Sequence, residues 1–385
     1  MGRAAMDWWN NLRVKSKNAQ VRCKALDALG ESSDPRFVKA LVEGMADEEA
    51  DVRIAAARGL AKSRSEEALE PLMAGLRDQE PSVREAAARA LSALGNDNAI
   101  TSLVWALKDP SSTVRGCAAD ALRNLGWRAS SDEEQALYEI ANGNARGAAR
   151  SGQAAIDPLV GELNNDTCFQ RRAAIDALQE VSDSRAIKPL MAAAADPDPT
   201  VRVSAIYALA KEPSEEVGAT LLKCLRDPEA LVRLAAAQVL SKWEDPALAP
   251  HLLELLTDRH FEVRMTAVLY ARRISDPNVA VSLLPLLADT DSDVRLATAQ
   301  SLGAFGNPVA IEALVVALTD EERAVRETAE RALEQIDPNW IFSEYAHRAA
   351  DRLTACLSDP RGWVRSAATQ VVARLRAAGT GAPSA

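Results

Sequence analysis

Aromatic residues are scarce in this chain, at 4% of its 385 positions, and histidine is scarcer still, with three copies. Chemistry that leans on imidazole therefore has little to draw on. His251, His260 and His347 form no HExxH, and none is followed by Glu. The five cysteines (Cys23, Cys117, Cys168, Cys224 and Cys356) form no close pair, so neither a zinc-ligand spacing nor a disulfide framework is present. Free thiols predict a reducing, cytoplasmic setting. No apolar run approaches the ~20 residues that a bilayer-spanning helix needs. The start "MGRAAMDWWNNL" predicts no signal peptide, and Met6 breaks the myristoylation pattern. GxSxG, Walker A and GxGxxG are all missing, and a cysteine nucleophile at Cys117 or Cys168 has no evident base. Positive charge is in deficit, with 45 Lys and Arg against 55 Asp and Glu, a net −10. That argues against a general nucleic-acid binder, which needs a basic stripe. Together these absences predict a non-catalytic protein with no cofactor and no bound metal.

What the chain does contain is a repeat. Val-Arg followed by small residues occurs at Val21, Val52, Val83, Val114, Val201, Val232, Val263, Val294, Val325 and Val364, with Gln170-Arg171 as a degenerate eleventh copy. The step from Val21 to Val52 recurs along the chain as a 31-residue period. Two steps are longer, Val114 to Gln170 and Val325 to Val364, and each marks an insertion. An Asp stands five positions before nine of the eleven copies: Asp47, Asp78, Asp109, Asp196, Asp227, Asp258, Asp289, Asp320 and Asp359. Between copies, "AIEALVVAL" (Ala310–Leu318), "AITSLVWAL" (Ala99–Leu107) and "ALEPLMAGL" (Ala68–Leu76) carry apolar residues at helical spacing. Breakers such as "LGND" and "FGNP" separate them from the Val-Arg helix. Nothing alternates with period two. One repeat is therefore a pair of helices that must stack on its neighbours to bury its apolar face. Small pairs such as Ala235-Ala236 let the helices of adjacent repeats approach closely.

The Asp, the five-position step to Val-Arg and the Ala-rich helix after it resemble HEAT repeats. The short period resembles their compact subclass, the PBS-lyase HEAT-like repeats, across roughly residues 5–378. The resemblance implies an all-α fold, a right-handed α-solenoid of about eleven helix pairs whose second helix lines the inner side. It also implies a ladder in which the turn Asp and the Arg of the second helix bind adjacent repeats. Asp196, Arg202, Asp227, Arg233, Asp258, Arg264, Asp289 and Arg295 belong to it, as structural rather than ligand-binding residues. The implied function is a protein-interaction scaffold that takes another protein or peptide. Two alternatives come with the family: handling of a tetrapyrrole chromophore, as in the bilin lyases, and iron-dependent hydroxylation, as in deoxyhypusine hydroxylase. The second relies on His-Glu dipeptides, and this sequence has none. A HEAT-like DNA glycosylase is disfavoured by the acidic surface.

The expected layout is a capping helix in 1–20, repeats in 14–126, a helical insertion in 127–153, and repeats in 154–378 with a short insertion near 337–345. A disordered tail, 379–385, closes the chain. Ser131 with Glu134 predicts a capped helix from about Asp132 to Asn142. The first insertion reads as a spacer or as a binding protrusion. Trp127 and Trp340 follow helix ends and are expected to fill the widened gaps. Trp8 and Trp9, beside Arg13, Lys15 and Lys17, read as an end cap or as a contact with a membrane or partner.

Counting Val as position zero, positions +2, +6 and +9 of the second helix lie opposite it, at about 100° per residue. That outward face is mixed in the early copies (Glu85, Arg89 and Ser92; Gly116, Asp120 and Arg123; Arg172, Asp176 and Gln179). It turns apolar at Val203, Tyr207, Leu234, Met265, Leu269 and Leu296, then reverts at Glu327, Arg331 and Glu334. An exposed apolar strip bounded by charge predicts a partner-binding surface; the alternative is that these side chains are covered by their neighbours.

Overall fold

The computed structural model describes residues 13–380 apart from 33, 244 and 275. The Trp8-Trp9 segment and the last five residues lie outside this range. Among the described residues the chain is all-α, with 23 α-helices and no strand. It divides into two compact units, residues 1–190 and 191–385.

In the first unit the second helices of the repeats are Ala19–Ser32, Ala50–Ser63, Pro81–Leu94, Ser112–Asn124 and Cys168–Val181. The first four of these pack on one another in turn through small side chains. Ala55, Ala56, Ala87, Ala88, Ala118 and Ala119 are fully buried. The closest approach lies between Gly30 and Gly59, where a Cβ on Gly30 would stand 2.5 Å from the Gly59 Cα. The first helices Val38–Gly44, Leu69–Gly75 and Ile100–Ala106 cover the other side, inserting Leu41, Leu72 and Leu103 at intervals of one repeat. Each begins from a 3-10 turn that a small polar side chain starts. Asn96, for example, accepts the Asn98 N–H at 3.0 Å. At the other end of the pair, Gly95 takes the left-handed conformation (φ 69°) that ends Pro81–Leu94.

The longer insertion folds as a shortened repeat. Asp132–Ala141 stands as a first helix and buries Leu137 and Ile140. The Ser131 hydroxyl accepts the Glu134 N–H, and the Glu134 carboxylate reaches back to the Ser130 N–H at 2.8 Å. Trp127 packs its ring on Tyr138 at 5.6 Å between centroids. The second helix is reduced to Ala145–Ala149, which packs between Asp132–Ala141 and Cys168–Val181.

The second unit repeats the scheme with second helices Pro199–Ala208, Ala230–Leu240, Phe261–Ala271, Ser292–Phe305, Arg323–Ile336 and Gly362–Thr380. Leu221, Leu252, Leu283 and Leu314 are the corresponding first-helix row, one repeat apart and buried. The shorter insertion forms a 3-10 turn, Trp340–Phe342, and extends the following first helix to Glu344–Cys356. Trp340 is buried there, with the Arg374 guanidinium 5.5 Å from its ring centroid.

Candidate partner-binding surface

The recurrent Arg is held in a fixed geometry early in each second helix. Arg233 donates from Nε to Asp258 Oδ2 at 2.7 Å and from Nη2 to Asp258 Oδ1 at 2.8 Å. Its Nη1 donates to the carbonyls of Asp227 and Pro228, at 2.8 and 3.1 Å. One guanidinium thus closes the turn of its own repeat and grips the Asp of the next, 25 residues on. Arg264 holds Asp289 and Arg295 holds Asp320 in the same bidentate way. In the first unit Arg22, Arg53 and Arg84 hold Asp47, Asp78 and Asp109. Each Asp also caps its turn: Asp196 Oδ1 accepts the Asp198 N–H and Asp227 Oδ1 the Glu229 N–H, at 2.8 and 2.9 Å. Burial pushes the Asp258 carboxyl up, but the Arg233 hydrogen bonds and the His260 N–H outweigh it and hold the group below its ordinary value.

Among the described residues three rungs are incomplete. Arg326, ahead of the shorter insertion, donates only to the carbonyls of Asp320 and Glu321, at 2.7 and 2.9 Å, and meets no carboxylate. Arg202 reaches Asp227 with Nη2 alone, at 2.8 Å, and its Nε is buried without a partner. Arg115 has no turn Asp to meet, because the shortened repeat that follows carries none. It reaches across to Glu162 at 2.5 Å, again with Nε unpartnered. A cavity of about 490 Å³ opens beside this pair, lined by Leu107, Lys108, Glu133, Leu137 and Asp157 among others.

On the face opposite the ladder Val, in the second unit, Val203, Leu234, Met265 and Leu296 form a row of half-buried apolar side chains. Tyr207 and Leu269, one turn further along their helices, are 40% and 46% exposed. The Tyr207 hydroxyl donates to Gln238 Oε1 at 2.8 Å, linking adjacent repeats. Leu231, at 63% exposure, belongs to the same surface. Counting outward positions from Val passes over it, since it sits at position −1, beside the turn. Its signal is the three-position step to Leu234, which puts both on one helical face.

Beyond the strip, at positions +9 and +10, come Lys211, Lys242, Arg272 and Arg273, all exposed. Among the described residues none of the four lies within ion-pair distance of a carboxylate. Arg273 donates instead to the Ser241 carbonyl at 2.7 Å. Arg272 lines a groove of about 570 Å³ with Gln300, Arg331, Glu334 and Gln335. The three histidines stand apart, and among the described residues no three of His, Cys, Asp and Glu are grouped to hold a metal ion. No helix among the described residues is long and apolar enough to cross a membrane.

The family model for HEAT repeats matches residues 7–91, 69–157, 156–241, 218–295 and 281–373. A search of curated proteins returned no match. Among solved structures, an engineered protein is 22% identical over 98% of this chain and 99% of its own, with a TM-score of 0.33. The YibA protein of E. coli is 18% identical over 69% of this chain and 91% of its own, with a TM-score of 0.41. Human deoxyhypusine hydroxylase, in complex with glycerol, is 21% identical over 87% of this chain and 97% of its own, with a TM-score of 0.28.

Proposed function

The chain belongs to the HEAT-repeat family, and from that premise we propose that it is a non-catalytic scaffold that binds another protein through the outward face of its second helices in the second unit. The observation that carries this is the apolar row Val203, Leu234, Met265 and Leu296, flanked by exposed Tyr207, Leu231 and Leu269. Side chains of this kind lose contact with water only when something covers them. The short repeat period supports placing the chain in the PBS-lyase-like subclass. Five unpaired thiols support a cytoplasmic site of action. The hydroxylase alternative has no His-Glu dipeptide here to carry it.

The test is a cross-linking comparison in native extract. Leu234→Ser/Met265→Ser should lose a partner that the wild type captures, while its melting temperature falls by a few degrees, as about 1 kcal/mol of half-buried contact predicts. A collapse of the fold would show that these side chains are core, and unchanged capture would show that the partner binds elsewhere.

A further inference from the structure

The strip and the cations beside it together specify more than a generic partner. We infer that this surface takes an amphipathic α-helix that crosses the second helices of the repeats and turns a row of acidic residues toward Lys211, Lys242, Arg272 and Arg273. The inference rests on the reading above, since it names the occupant of the same surface.

Spacing favours a helix. Packed second helices lie about 8–10 Å apart, and seven residues of an α-helix rise about 10.5 Å. A partner helix with apolar side chains at every seventh position therefore meets Val203, Leu234, Met265 and Leu296 in turn. Those four are recessed, while Tyr207, Leu231 and Leu269 stand exposed beside them.

Charge favours an acidic flank. The protein carries a net −10, yet four exposed cations line the C-terminal ends of three consecutive second helices, and among the described residues none of the four forms an ion pair. Like charges in a row repel one another in the free protein, and an acidic partner relieves that repulsion. At the helix N-termini on the other side stand Glu262 and Asp293. The surface thus has a basic edge and an acidic edge, which fixes how the partner helix rolls about its axis.

Two fluorescein-labelled synthetic peptides of roughly 25 residues test this, long enough to cross four repeats. They share one leucine face at every seventh position and differ only in a flank of Glu or Lys. Anisotropy titration against the full chain should give the Glu-flanked peptide at least about tenfold tighter binding, with the gap narrowing at high salt. Lys211→Glu/Lys242→Glu/Arg273→Glu, all at exposed sites, should reverse the preference. Leu234→Ser/Met265→Ser should abolish binding of both peptides. Equal affinity for the two flanks, a preference that survives the charge reversal, or binding by neither peptide overturns the inference. So does tighter association with phosphatidylserine vesicles than with the Glu-flanked peptide. Cross-linking in native extract is decided separately. A partner lost on Leu234→Ser/Met265→Ser alongside equal peptide affinities leaves the scaffold reading standing and this inference fallen.

Discussion

The two units carry the same helices, and their outward second-helix faces are finished differently. In the first unit the charges there are paired. Asp27 meets Arg58 at 3.2 Å, and Glu31 meets Lys62, each pair bridging adjacent repeats at a spacing of 31 residues. Arg89 pairs with Glu85, and Asp120 with Arg123, along their own helices. The corresponding positions in the second unit are Tyr207, Gln238 and Leu269, then Lys211, Lys242 and Arg273. Position +2 is less distinctive than it looks, because the first two repeats place apolar Cys23 and Ile54 there, half-buried as well. What separates the units is whether the flanking residues neutralise one another. A face closed by its own ion pairs offers little to a partner. A face with an apolar row and a line of cations outside any ion pair is incomplete by itself.

The ladder runs through both units and is the place where the comparison breaks hardest. Arg233→Ala leaves the buried Asp258 carboxylate without its bidentate partner and should cost about 3–5 kcal/mol, read by chemical denaturation. Arg202→Ala should cost less, since that rung is already half made, and Arg233→Lys should recover only part of the loss. Acid gives an independent reading. Asp258 has a folded pKa held below its unfolded value, so its contribution is present above about pH 4 and is lost as pH falls through the folded pKa. Asp258→Asn should flatten the acid limb of the stability profile. An unchanged limb would mean that the rung contributes nothing.

Next in size is the tight contact of the first unit. Gly59→Ala places a methyl where the Leu41 Cδ2 now lies, at 2.5 Å, and should cost about 1–3 kcal/mol by overpacking. The flexible Leu41 end can yield somewhat. Gly30→Ala, which meets the Gly59 backbone, should cost more in the same melting experiment.

The smallest effect belongs to the surface pairs. Arg58→Ala and Lys62→Ala should each change stability by about 0–1 kcal/mol, because exposed ion pairs are worth little. Their use in the comparison is as a control, because without Arg58 and Lys62 the carboxylates of Asp27 and Glu31 remain on that face and repel an acidic flank. Removing these charges should leave the first unit unable to bind the Glu-flanked peptide. Binding there would show that ion pairing, more than residue content, keeps that face closed.

The Asp and Arg spacing makes the fold legible, because a rung must recur wherever a helix pair stacks. The shortened repeat is hidden for the same reason. With no Val-Arg and no turn Asp, it reads as an insertion, although "ALYEIANGN" follows "SLVWALKDP" about one repeat further on and carries the same first-helix pattern. At the candidate surface, helical phase finds Val203, Tyr207, Leu234, Met265, Leu269 and Leu296 as outward positions. It misses Leu231, masked by its place at the turn. It also misses the basic row, because the sign of a surface charge is unconstrained by packing and becomes visible only when its neighbours are placed.

The rung geometry has a consequence for length. In every rung closed by a turn Asp the Arg meets a carboxylate 25 residues ahead, while equivalent positions of adjacent repeats, such as Tyr207 and Gln238, lie 31 residues apart. Excising residues 227–257 would bring Asp258 to Arg202 at the separation Asp227 now has, with every later rung intact. The molecule is in this sense a ruler with interchangeable divisions. Its reach can be lengthened or shortened in whole repeats, and a cut of any other size leaves a guanidinium without its carboxylate.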